Sequence, residues 1–115
     1  MIQVYGIKNC DTMKKAFQWL DKHKIEYSFH DYKKSGIDAT TLQHWMKKIP
    51  IDRLINTKGT TWRKQSEEEK ASLSNPSKAI ALMIQNTSVI KRPLVVIGKE
   101  KYLLGFNEAE WKETF

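Results

Sequence analysis

Met1 to Tyr5 alternates apolar and polar residues at the period of a short strand, and Gly6 breaks the run. Thr12 to Lys22 then repeats at the helical period, with Met13, Phe17 and Leu20 on one face and Ala16 between them. Ile25 to Tyr32 alternates again, setting Ile25, Tyr27, Phe29 and Asp31 against Glu26, Ser28, His30 and Tyr32, which predicts a second strand. Two strands joined through a helix form a parallel βαβ unit with a right-handed crossover. Lys33-Lys34-Ser35-Gly36 reads as a turn. Asp38 or Thr40 then caps a helix running to about Lys48, whose Leu42, Trp45, Met46 and Ile49 form an apolar stripe, and Pro50 ends it.

Between Ile51 and Gln85 the pattern is helical only in pieces. Asp52 to Ile55 reads as one short turn, Ser66-Glu67-Glu68-Glu69 opens another with acidic residues at its positive end, and Asn75-Pro76 starts a third helix carrying Ala79, Ile80, Leu82 and Met83. Asn56 to Lys64 reads as a loop dense in hydrogen-bond donors. Two β-branched or aromatic runs, Leu94 to Ile97 and Lys101 to Leu104, joined by Gly98-Lys99-Glu100, predict a hairpin. Glu108 to Phe115 closes the chain as a short amphipathic helix with Trp111 and Phe115 on one side. The order β, α, β, several helices, β, β, α predicts an α/β fold: a thioredoxin-like mixed sheet flanked by helices. Residues 1–115 are read as one such domain, with a helical insert over approximately 38–88.

Composition narrows the chemistry. A chain of 115 residues is long enough to bury a core without disulfides, and its single cysteine cannot form an internal bridge. With that lone cysteine and first residues that carry neither a long apolar core nor a small-residue cleavage site, a reducing cytoplasm is the expected compartment, and no apolar run approaches the roughly 18 residues of a membrane span. The net charge of +7 invites anionic partners, but Lys14-Lys15, Lys33-Lys34 and Lys47-Lys48 are dispersed pairs rather than a polybasic tract. The four tryptophans fall on expected core faces or in the donor-rich loop, not on a stacking platform for nucleic acid. His23, His30 and His44 are scattered over helix ends and a strand, so no metal site is expected, and no glycine-rich nucleotide fingerprint occurs.

The candidate chemistry gathers at Gly6 to Lys15, where Cys10 stands at the junction of a strand and a helix. Unpaired N–H groups and the positive end of the helix dipole favour thiolate over thiol there, which makes the sulfur a nucleophile. Lys8, Lys14 and Lys15 add positive charge nearby, and Asp11 works against them. Arg92-Pro93 precedes the third strand: proline is tolerated at a strand's first residue, and the arginine fork suits carboxylates and oxyanions.

Tyr5 to Thr12, Asn56 to Lys64 and Ile90 to Leu94 together resemble the arsenate reductase (ArsC) and Spx family, in particular its small YffB-like branch. The resemblance runs through essentially the whole chain. It implies a thioredoxin-like fold with a helical insert, a catalytic Cys10 and a cis proline at Pro93. Of the three arginines that surround arsenate in glutaredoxin-linked arsenate reductases, only Arg92 has a counterpart, with Asn56 and Gly105 at the other two positions. That departure argues against arsenate as the substrate, since Lys8, Lys58 or Arg63 would have to compensate with different geometry. Met13 occupies the place where Spx regulators often carry a second cysteine, so a dithiol switch is excluded.

The expected activity is that of a thiol oxidoreductase acting on a mixed disulfide or an oxyanion such as arsenate. No bound cofactor is expected. Glutathione serves as co-substrate and external resolving thiol, with glutaredoxin as a further partner. Arg92 orients the anion beside Pro93, Asn9 and Thr12 supply donors, Lys8 favours the charged thiol, and Lys58 and Arg63 complete the candidate binding set. The alternative is an Spx-like interaction module that binds RNA polymerase or another partner without catalysis.

Overall fold

The computed structural model describes residues 2–99 and 101–115. Met1, expected at the start of the first strand, and Glu100, expected in the hairpin turn, lie outside the described residues. The chain divides into two compact units: a sheet unit that runs to Tyr32 and resumes at Arg92, and a helical unit, Lys33–Lys91.

In the sheet unit, β1 (Ile2–Gly6), α1 (Asp11–Lys22) and β2 (Ser28–Asp31) form the expected parallel βαβ, and β3 (Leu94–Ile97) and β4 (Lys101–Leu104) form the expected antiparallel hairpin. β3 also runs antiparallel to β1, so the order is β2-β1-β3-β4, the mixed sheet of a thioredoxin-like fold. The helix α8 (Glu108–Thr114) closes the unit. Because side chains alternate across a strand, Val4, Val95 and Leu103 share one face, where they meet Met13, Ala16, Trp19 and Leu20 of α1 and Trp111 of α8. Trp19 joins this core, while Phe17 is only partly buried and stacks on Tyr27 with ring centroids 5.5 Å apart.

Three expectations at element ends are corrected. Gly6 is the last residue of β1, in register with Asp31, and not a break before it. β2 begins only at Ser28, so Ile25 to Tyr27 lead into it. Tyr32 leaves the strand to start α2 (Tyr32–Ser35), a single turn where the alternation implied more strand, and Gly36 with φ 64° ends it.

In the helical unit, α3 (Ala39–Met46) is capped by Asp38, which accepts a 2.7 Å bond from the Thr41 N–H. This helix ends at Met46; Pro50, expected to end it, instead precedes α4 (Ile51–Leu54). The expected loop at Asn56 to Lys64 contains a one-turn helix, α5 (Thr60–Arg63), entered through Gly59. The pieces that follow are α6 (Glu67–Ala71) and α7 (Pro76–Gln85), the latter capped by Asn75 with Pro76 at its first position. Ile55 bridges to Ile90, while Asn56 N–H donates to Val89 O at 2.7 Å and Lys91 N–H to Leu54 O at 2.8 Å. This bridge anchors the chain immediately before Arg92. Among the described residues no helix is long and apolar enough to cross a membrane.

Candidate active site

Cys10 is the N-cap of α1, with extended backbone at φ −143° and ψ 132°, and its carbonyl accepts the first helical bond from Lys14 N–H at 2.9 Å. Helical geometry therefore begins immediately after the sulfur-bearing residue, and the N–H groups of the first turn are left without helical partners. The thiol is half-buried and packs against the core beneath the helix. Burial is the largest single influence on it and pushes its pKa up, but the backbone N–H of Met13, the Arg92 guanidinium and the backbone N–H of Thr12 act the other way. Together they hold the thiol below its ordinary value. The sulfur makes no regular capping hydrogen bond; these donors face it closely enough to favour its anion without closing a cap.

The positive charge that matters here is Arg92, which acts on the sulfur both as a hydrogen-bond donor and through its charge. Its position follows from the sheet. β3 lies beside β1, so the residue preceding Pro93 reaches the C-terminal end of β1, and a Cβ on Gly6 would lie 3.6 Å from Arg92 Cβ. The Arg92–Pro93 peptide bond is cis, and Pro93 O accepts from Gly105 N–H at 2.8 Å.

Of the other expected site residues, Lys8 and Asn9 are exposed on the segment between β1 and α1, and Thr12 contributes its backbone N–H. Lys8, Lys14 and Lys15, expected to supply charge, are exposed side chains; the cation acting on the sulfur is Arg92. Lys58 and Arg63 belong to the helical unit, where both are exposed. Sequence reasoning overlooked Met13 as a donor and Gly6 as the close approach that seats it. The signal was available, since Met13 is the third helical residue after Cys10. Among the described residues no group of three His, Cys, Asp or Glu side chains is placed to hold a metal ion.

The model of the ArsC family matches residues 5–114. The chain belongs to the ArsC family. The solved structure of a YffB protein is 45% identical, with a TM-score of 0.91 over 98% of this chain and 97% of that one. An arsenate reductase-related protein from Brucella melitensis is also 45% identical, with a TM-score of 0.78 over 97% of this chain and 92% of its own. The global transcriptional regulator Spx of Streptococcus pneumoniae is 29% identical over 96% of this chain and 82% of its own length.

Within this ArsC chain the departures noted in the sequence have structural roles. Met13 is fully buried, with its thioether where a Cβ on Gly6 would lie 2.5 Å from Sδ. Gly105 has φ 77° and is buried, a backbone conformation that an arginine adopts only at a cost. Asn56 accepts from Gly59 N–H at 3.1 Å through its carbonyl and donates its own N–H to Val89. Its backbone is committed to holding the turn before α5.

Proposed function

We propose that this ArsC-family protein is a thiol oxidoreductase that exchanges disulfides through Cys10, with glutathione as the external resolving thiol. The observation that carries the reading is the thiol held below its ordinary pKa by Met13, Thr12 and Arg92 while still half-exposed. Cys10 thiolate attacks one sulfur of a mixed disulfide between a substrate thiol and glutathione. A new bond joins Cys10 to the glutathione sulfur, and the substrate leaves as a thiolate. A second glutathione thiolate then attacks that glutathione sulfur, which yields glutathione disulfide and restores the Cys10 thiolate. Arg92 receives a carboxylate of the incoming molecule beside Pro93, and Asn9 and Thr12 offer it hydrogen-bond donors. Arsenate is the less favoured substrate, because the buried, left-handed Gly105 and the turn-forming Asn56 supply no guanidinium.

The test is alkylation of Cys10 against pH on the intact protein, read by mass spectrometry with and without glutathione disulfide. A half-point well below about 8.5, with a single glutathione adduct lost in Cys10→Ser, supports the reading. A folded protein whose thiol reacts only after denaturation refutes it and favours an interaction module, the reading that similarity to Spx would otherwise support.

A further inference from the structure

Tyr32 is buried, at 2% exposure, and its hydroxyl has no hydrogen-bond partner among the described residues. A buried phenol oxygen without a partner loses its hydration for no compensating bond, so it calls for a structural or functional account. Its surroundings suggest one. Tyr32 directly follows Asp31, which is in register with Gly6, and Gly6 lies against Arg92 on its other side. The Tyr5 and His30 rings, with centroids 6.3 Å and 6.1 Å from that of Tyr32, wall the phenol in. Burial, together with the neighbouring Tyr5, pushes the phenol far above its ordinary pKa, so it stays neutral, while Arg92 is close enough to act on it electrostatically. A neutral phenol oxygen can accept from a guanidinium N–H.

We propose that Tyr32 is a positioning residue for Arg92: when Cys10 enters a mixed disulfide and its sulfur gives up its negative charge, the Tyr32 hydroxyl oxygen accepts a hydrogen bond from the guanidinium. In the resting protein Arg92 serves the thiolate. Attack on glutathione disulfide forms the Cys10–glutathione bond, breaks the glutathione S–S bond, and sends the electron pair away on a glutathione thiolate. The guanidinium then faces a neutral sulfur, and Tyr32 gives one of its N–H groups a new acceptor. Tyr32 thus stabilises the mixed disulfide relative to the thiolate. The inference rests on the thiol-exchange reading above.

The test equilibrates wild type, Tyr32→Phe, Arg92→Ala and the double variant in buffers of set glutathione disulfide to glutathione ratio, and reads the adduct fraction by mass spectrometry. Tyr32→Phe is expected to need about a tenfold higher ratio for half conversion, the worth of one charge-assisted hydrogen bond, and this shift is expected to vanish in the Arg92→Ala background. Reduced Tyr32→Phe is expected to melt no lower than wild type, since the hydroxyl it loses had no partner. Adduct formation with coincident midpoints, a shift that survives in Arg92→Ala, or a reduced variant that melts well below wild type overturns the inference alone. A wild type that forms no adduct at any ratio overturns the thiol-exchange reading and this inference with it.

Discussion

Gly6→Ala puts a single methyl group into the joint between β1 and the start of α1. Gly6 is an extended strand residue and is not among the positive-φ glycines, so alanine meets no backbone penalty there. Alanine even gains about 0.4–1 kcal/mol over glycine there by lowering the entropy of the unfolded chain. The cost is steric. An ideal Cβ would lie 2.5 Å from Met13 Sδ and 2.6 Å from Met13 Cε. Those atoms end a flexible side chain, but Met13 is fully buried among Val4, Ala16 and Leu20 and has little room to turn. Overpacking of this kind costs about 1–3 kcal/mol, which leaves a net loss of up to about 2.5 kcal/mol after that gain. With an unfolding entropy of about 2.1 cal/mol/K per residue, 115 residues give about 0.24 kcal/mol/K, so Tm falls by up to about 10 °C.

The local effect is more diagnostic than the global one. Met13 N–H is one of the donors favouring the thiolate, so moving Met13 should raise the half-point of Cys10 alkylation as well as lower Tm. Shortening the obstructing side chain, as Gly6→Ala with Met13→Val, should recover part of both. Thermal denaturation and pH-dependent alkylation on the two variants settle it. A Gly6→Ala protein with unchanged Tm and unchanged alkylation half-point refutes the claim that Gly6 seats Met13 at the site.

Arg92→Ala should raise the Cys10 alkylation half-point and slow glutathione exchange about tenfold, the lower end for a charged hydrogen bond because the sulfur is half-exposed; an unchanged half-point would show the guanidinium to be irrelevant to the thiol. Because folding lowers the Cys10 pKa, the reduced native state gains stability from its thiolate only as pH rises from the folded value towards the unfolded one, and holds the full gain above about 8.5. Denaturant midpoints of wild type and Cys10→Ser should therefore diverge with rising pH in that window and converge as pH falls through the folded value; a constant difference across it would contradict the shift. Gly105→Arg should destabilise the fold by about 1–2 kcal/mol, the cost of a left-handed non-glycine residue, and confer no arsenate reduction when assayed with arsenate and glutathione.

Local chemistry was legible from the chain alone. The first strand and helix, the helix starts near Asp38 and at Asn75-Pro76 and the hairpin strands depend on residues within a few positions of one another, and the structure places them where the pattern does. The placement of Cys10 at a helix start was legible for the same reason. Less was legible where marginal segments take their conformation from tertiary packing. The Tyr32–Ser35 and Thr60–Arg63 turns are far shorter than a helix that can stand alone, and their sequences read equally well as strand end or loop.

The sequence by itself therefore determined the main strands and the longer helices, and that the one thiol sits among unpaired N–H groups, because those relations span one turn or one strand. Only the tertiary structure decided which cation serves the thiol. Three lysines lie near Cys10 along the chain, yet the guanidinium that acts on the sulfur comes from Arg92, brought there because β3 pairs with β1 rather than with β2. The pairing of β1 with β2 likewise closes Tyr32 among Tyr5 and His30. Periodicity reports which face a side chain takes, but strand order decides which distant residues share that face, and electrostatics at the sulfur depends on distance in space.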